Sequence, residues 1–300
     1  MIVAVTGSSG LIGSALVSSL RARRDRVIPL VRRAPRGTED AFRWDPATGA
    51  ITPVRPAIAD AVVHLAGESV IGGRWTAAQK ARIRDSRVAA TARLAHALAR
   101  AATPPRTLIC ASAIGYYASR GDETLTETSA PGTGFLAQVC REWEAATAPA
   151  TARGIRVVNL RIGLVMSRSG GALARMLTPF RLGLGGVIGG GTQWMSWIAL
   201  ADLIDAIQYA LAAVSLHGPV NAVAPTPVTN AEFTRTLGSV LGRPTTLLRV
   251  PAFAARLALG EMADELLLTS QRVVPARLQA SGFTFRYPTL EGALRHEIGR

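Results

Sequence analysis

Gly7, Gly10 and Gly13 recur at three-residue spacing directly after the apolar run Ile2–Val5 and Thr6, and Leu11, Ile12, Leu16 and Val17 then follow at helical spacing. Strand, tight turn and helix in that order present backbone N–H groups at a helix N-terminus, where the helix dipole favours an anion such as a pyrophosphate. Gly7 permits the sharp turn, Gly10 lets backbone approach a phosphate, and Gly13 lets the helix pack close to the strand. Ser9, Leu11 and Ile12 belong to the same arc of candidate contacts. Arg32 and Arg33 close the next apolar run, Val27–Val31. An acid at that strand end would meet the ribose 2′-hydroxyl of NAD, whereas an arginine pairs with the 2′-phosphate of NADP. A further run, His64, Leu65, Ala66, Gly67 and Glu68, ends a strand with small residues that would let the adenosine side of such a cofactor approach. His64 itself reads as a core histidine. Ser112, at the end of the run Thr107–Ser112, is followed by Tyr116 and Tyr117. These hydroxyls either bind a carbonyl or hydroxyl of a ligand or are a loop hydroxyl and packed aromatics.

The elements that must position these groups alternate along the first half of the chain. Val27–Val31, Ala61–Ala66, Thr107–Ser112 and Arg156–Gly163 read as strands, and helices are expected over Thr76–Ala101 and Phe135–Ala152. Near-continuous apolar strands between amphipathic helices imply a parallel sheet covered on both faces. The fold expected is α/β, a Rossmann-type doubly wound parallel sheet with a smaller C-terminal α/β lobe. Residues 1–165 form the dinucleotide-binding part, with some of 194–225 returning to it, and residues 166–300 form the smaller lobe. Trp44 reads as packing in a hairpin-like connection, and the glycine-dense Leu182–Gly191 reads as a flexible loop or boundary.

Composition narrows the classes. The chain has 300 residues, 48% of them hydrophobic, enough for a substantial core. No apolar run reaches the roughly 18 residues that span a bilayer. No basic segment precedes the first apolar run, which is a strand, so no signal peptide is expected. Cys110 and Cys140 make no disulfide or metal framework, which suits a reducing cytoplasm and buried thiols. The net charge is +14, but its 34 basic residues include a single lysine, Lys80, and are scattered. That skew reads as a bias toward arginine codons rather than a nucleic-acid surface. The partner expected is a small molecule, with neither nucleic acid nor membrane; a homodimer is compatible with the sequence.

Together these segments resemble the short-chain dehydrogenase/reductase superfamily in its extended, epimerase-like branch. Residues 67–88, 112–117, 135–144, 184–198 and 260–278 are similar to one epimerase-like subfamily, often labelled nucleoside-diphosphate-sugar epimerase or cell-division-inhibitor-like. The resemblance covers nearly the whole chain. It implies a Rossmann domain, a small C-terminal domain and bound NADP, with no substrate attached. It also implies that Asn159, Arg161 and Gly163 flank the nicotinamide, so Arg161 joins the candidate cofactor contacts.

One departure bears on mechanism. Active members of the superfamily usually carry Tyr-x-x-x-Lys on the helix after the serine strand, where the lysine lowers the phenol pKa for proton exchange. Here the tyrosines are 116, 117, 209 and 287, none has a lysine four residues on, and Phe135 and Val139 stand where the pair is expected. Ser112, Tyr116 and Tyr117 are then the candidate catalytic residues, with Glu68 a further candidate acid. Without a neighbouring cation the phenols are expected near pKa ~10. The leading reading is an NADP-dependent oxidoreductase or epimerase-like protein; the alternative is a non-enzymatic NADP-binding regulator or scaffold. Asp202 either keeps the polar role that the resemblance implies near Ala199–Asp202 or caps a helix running to about Ala213. Arg272, beside Gln271, either reaches a ligand or ties the C-terminal lobe to the sheet.

Overall fold

Short β-branched runs bounded by turns become strands, and in the computed structural model, which describes residues 1–32, 42–52, 59–71, 74–245 and 249–299, they join one sheet. Its strands are β1 (Ile2–Thr6), β2 (Arg26–Val31), β3 (Phe42–Trp44), β4 (Ile51–Thr52), β5 (Ala61–His64), β6 (Thr107–Ala113), β7 (Arg156–Ile162) and β8 (Gly218–Ala222). Their spatial order is β8-β7-β6-β5-β1-β2-β3-β4. All neighbours pair in parallel except the β3–β4 hairpin. Strand order therefore reverses at β1, which lies between β2 and β5. In an open α/β sheet that is where a crevice forms beyond the strand ends.

The helices are α1 (Leu11–Ala22), α2 (Ala77–Ala99), α3 (Phe135–Ala145), α4 (Ala148–Ala152), α5 (Gly171–Arg181), α6 (Leu200–Ala212), α7 (Asn230–Leu241), α8 (Ala252–Leu259), α9 (Ala276–Ala280) and α10 (Leu290–Ile298). Alternate strand residues serve opposite faces. Val3 and Val5 pack with Leu16, Leu20, Leu203 and Ile207 of α1 and α6. Ala4 and Ile28 pack with Leu94, Leu98 and Ala150 of α2 and α4. Each such Val, Leu or Ile contributes roughly 1.5–3 kcal/mol by leaving water. A separate core gathers Leu173, Leu177 and Phe180 of α5, Phe233 and Leu237 of α7, Leu290 and Leu294 of α10, and Trp197. Thr229 and Glu232 form a reciprocal capping box that starts α7.

The structure departs from expectation locally. The single helix expected over Phe135–Ala152 is two, because Pro149 lacks an N–H and starts α4 afresh in its first turn. The glycine-rich 182–191 stretch is not a free loop: Val187 and Ile188 pair with Arg249 and Val250, and the Ile188 N–H donates to Asn230 Oδ1. Asp202 does not cap α6. It is buried, and its carboxylate accepts the backbone N–H groups of Arg286 (2.7 Å) and Tyr287 (3.0 Å), fastening the C-terminal segment to α6. Among the described residues no helix is long and apolar enough to cross a membrane.

Candidate cofactor cleft and the polar network beside it

At the reversal of strand order the turn after β1 meets the first turn of α1. Gly7 has φ +67°, and a Cβ there would lie 2.8 Å from the Leu65 carbonyl. A Cβ on Gly13 would lie 2.0 Å from the Gly7 oxygen. Both glycines are therefore required for β1, α1 and the end of β5 to approach this closely. Gly10 is the N-cap residue and no side chain caps the helix, so the first-turn N–H groups face the cleft. The cleft has a volume of about 290 Å³. The sequence-derived Gly7, Gly10, Leu11, Ile12, Gly13, Leu65 and Gly163 line it, and so do Ile71, Leu164, Val165, Gly171 and Ala172, which the sequence alone did not single out. Glycines at the ends of β7 and α5 carried the signal that could have found the last group. A glycine cradle under an uncapped helix start fits the diphosphate of a dinucleotide.

The remaining candidates spread around this centre. Ser9 is exposed in the turn and Arg32 is exposed at the end of β2; Arg33 lies outside the described residues. The Leu65 and Ala66 N–H groups donate to Thr6 Oγ1, which spends its own proton on His64 Nδ1 at 2.7 Å. His64 Nε2 then donates to Thr91 Oγ1 at 3.0 Å. Burial lowers the His64 pKa to about 4, so the ring is neutral. It is a strut between β1, β5 and α2, with Trp44 packed edge-on against it. Gly67 and Glu68 are exposed beyond the strand end, where the Glu68 N–H donates to Ser86 Oγ.

Sheet register decides the fate of Ser112, Arg161 and Tyr117. Ser112 of β6 is paired with Arg161 of β7, which is paired with Asn221 of β8, so these side chains share a face. Arg161 is 2% exposed and grips the Glu144 carboxylate with Nε and Nη2, both at 2.8 Å. Ser112 Oγ donates to the same carboxylate at 2.8 Å. Arg161 Nη1 donates to the Tyr117 hydroxyl at 2.9 Å, and that hydroxyl donates within a bridge to Asn221 Oδ1 and the Thr126 carbonyl. Burial opposes the Arg161 charge, but Glu144 and the Tyr117 oxygen outweigh it and raise its pKa.

These placements bear on several expectations, and one of them, the phenol pKa, is corrected. Tyr117 does have a cation beside it, yet burial pushes its pKa up to about 12, because the fully enclosed phenol cannot shed charge into water. Ser112 is buried with its hydroxyl engaged, and Arg161 is surrounded by protein partners rather than open to a nicotinamide. Tyr116 differs: its ring lies face-on to Arg161, 3.5 Å from the guanidinium carbon, and its hydroxyl has no hydrogen-bond partner among the described residues. Glu144, the hub of this network, was missed by sequence reasoning. Gln271 ties the C-terminal lobe through its amide to the Ile114 carbonyl, and Arg272 stacks over Trp194 at 4.4 Å. Lys80 pairs with Glu261 and lies 5.1 Å from the Phe135 ring centre.

Fold, switch-point cleft and glycine cradle define a Rossmann-type α/β protein. The chain belongs to the NAD dependent epimerase/dehydratase family, whose model matches residues 3–222. Residues 250–297 match a domain of unknown function, DUF1731. The chain is 47% identical over 299 residues to the epimerase family protein Mb2239 of Mycobacterium bovis, covering 100% of this chain and 98% of that one. It is 36% identical to human epimerase family protein SDR39U1, covering 99% of this chain and 100% of that one. A crystal structure of human SDR39U1 (isoform 2) with NADPH superposes with a TM-score of 0.91 at 34% identity, over 100% of both chains.

Proposed function

We propose that this chain binds NADP(H) in the β1–β5 cleft and acts as an oxidoreductase or epimerase-like protein on a small molecule. The observation that carries the reading is the glycine cradle: Gly7 and Gly13 in mutual contact beneath an α1 start that no side chain caps. The NADPH-bound human relative supports the choice of cofactor, as does Arg32 at the β2 end. The first turn of α1 holds the diphosphate, and the Arg32 side of the cleft holds the 2′-phosphate. When bound, the nicotinamide supplies a hydride acceptor or donor. The proton is assigned to Tyr116, the hydroxyl of the Ser112, Tyr116 and Tyr117 set that no described residue engages. The buried free thiols of Cys110 and Cys140 support a cytoplasmic setting.

The commitment of Ser112 and Tyr117 to a buried network favours a second reading, a protein that binds NADP(H) without turnover. Calorimetric titration with NADPH and NADH tests the cofactor assignment. A charge-assisted contact to the 2′-phosphate is worth roughly 1.5–3 kcal/mol, so NADPH should bind about ten- to a hundredfold tighter. Equal affinities, or no loss on Arg32→Ala, would refute that choice. Following reduced-cofactor absorbance across a metabolite library then separates turnover from binding alone.

A further inference from the structure

The helix α8 is built the wrong way round for one that only packs on its own protein. Its buried residue is Ala255, and Ala252 and Ala254 are half-buried. Phe253 and Leu257, one helical turn apart, are 71% and 73% exposed. A surface helix ordinarily turns its bulky apolar side chains inward and leaves small or polar ones outside. Val250 stands exposed just before α8, in the short segment that pairs with Val187 and Ile188. Leu182 and Leu184, also exposed, lie in the turn that leads from α5 into that pairing. Seven large apolar side chains are exposed among the described residues, and these are five of them. A single exposed leucine is ordinary, whereas a concentration around one helix marks a contact surface.

The charges around it indicate the partner. The acids that follow α8 are all engaged: Glu261 pairs with Lys80, Asp264 with Arg256 at 2.9 Å, and Glu265 accepts the Phe135 and Leu136 N–H groups of α3. Cations are left over. Arg181 and Arg249 each adjoin an exposed apolar residue in the chain, are exposed themselves, and have no side-chain hydrogen bond or ion pair among the described residues. Arg74 reaches the end of α8 and donates from Nη2 to the Leu257 carbonyl, with no carboxylate partner among the described residues. A second copy of this chain would bring the same cations face to face, which their repulsion opposes. At such exposure Phe253 and Leu257 project from the surface instead of lining a groove. Projecting aromatic and aliphatic side chains beside arginines suit the boundary between headgroups and acyl chains, with the cations against lipid phosphates.

We propose that the α8 face is a docking surface for an anionic phospholipid bilayer. Phe253 and Leu257 enter the headgroup boundary, and Arg74, Arg181 and Arg249 meet the lipid phosphates. The sequence expectation of no membrane partner rested on the absence of a spanning run, and a peripheral contact needs none.

The test is sedimentation of the full chain with vesicles of phosphatidylcholine alone, or with about one-third phosphatidylglycerol, at about 0.1 M salt. Wild type should partition at least about tenfold more strongly onto the anionic vesicles, and less so as salt rises. Phe253→Ser with Leu257→Ser keeps every charge and should weaken that binding at least about tenfold. Arg181→Gln with Arg249→Gln should weaken it about tenfold or more. Unchanged thermal midpoints report intact folds. Should the serine pair not fold, Phe253→Ala alone carries the same test, with a loss of about fivefold or more. No binding of wild type to anionic vesicles overturns the proposal, as does equal binding to both vesicle types. Undiminished binding of the serine pair overturns it too, because the net charge of +14 then holds the chain to lipid without this face. Should wild type ignore vesicles and bind poly-glutamate instead, with a loss in the serine pair, the face belongs to an acidic protein and the proposal fails.

Discussion

Removing one member of the Arg161–Glu144 pair should be far more damaging than removing both. Glu144 receives two guanidinium bonds at 2.8 Å and one from Ser112, and the two side chains are 3% and 13% exposed. At that burial a stranded charge costs about 3–5 kcal/mol, whereas a well-packed apolar pair of similar volume is often nearly neutral. Glu144→Leu should lie at the upper end of that range. It leaves Arg161 with the Tyr117 hydroxyl, the Glu127 carbonyl at 3.4 Å and the Tyr116 ring. A guanidinium cannot neutralise itself by losing its proton. Arg161→Met should lie lower, because a stranded carboxylate can bind one. The double variant should cost no more than either single, giving a coupling energy of about 3 kcal/mol or more. Urea unfolding at constant m-value measures all four corners of the cycle. A coupling below about 1 kcal/mol would refute the reasoning, because it would mean that water already screens the pair.

Further outcomes follow from the same geometry. Folded His64 has a pKa of about 4 against an ordinary 6.5, so between those values only the unfolded chain binds the proton. Its contribution is full above about pH 6.5 and falls by about 3 kcal/mol as pH drops to about 4; His64→Gln should flatten that part of the urea-midpoint profile, and an equally steep decline in the variant would contradict it. Gly13→Ala forces a Cβ to 2.0 Å from the Gly7 oxygen, so the thermal midpoint should fall despite a helix-propensity gain of about 1 kcal/mol. Gly10→Val, whose Cβ meets that oxygen at 3.3 Å, should keep the midpoint and lose NADPH binding by calorimetry; retained affinity would move the phosphate elsewhere. Tyr117→Phe deletes a hydroxyl shared by Arg161, Asn221 and Thr126. It should cost about 1–3 kcal/mol in urea while leaving NADPH affinity unchanged; a change confined to affinity would place the phenol in the cleft.

What sequence disclosed and what it hid divide along a physical line. The glycine turn is local, since Gly7, Gly10 and Gly13 fall within seven consecutive residues and strand–turn–helix order alone dictates their geometry. The parallel sheet is nearly as legible, because strands buried on both faces must be apolar throughout. Ser112, Arg161 and Asn221 come together only through the register of β6, β7 and β8, and nothing in the spacing of residues far apart in the chain encodes register. Glu144 looked like one more helical carboxylate. Arg87 was hidden among the outward arginines of α2, although its place on the Ile83, Ala90, Leu94 stripe was visible as helical periodicity. Both misses have one origin. A polar residue on an apolar stripe must be matched by something, and for Glu144 the match is Arg161 inside the protein. For Arg87 it is the nearby Glu68 charge and the Trp143 ring, with the Ile83 carbonyl accepting one bond. Two of the three hydroxyls expected to do chemistry, those of Ser112 and Tyr117, are thus drawn into structure by partners distant in sequence, while that of Tyr116 is engaged by no described residue.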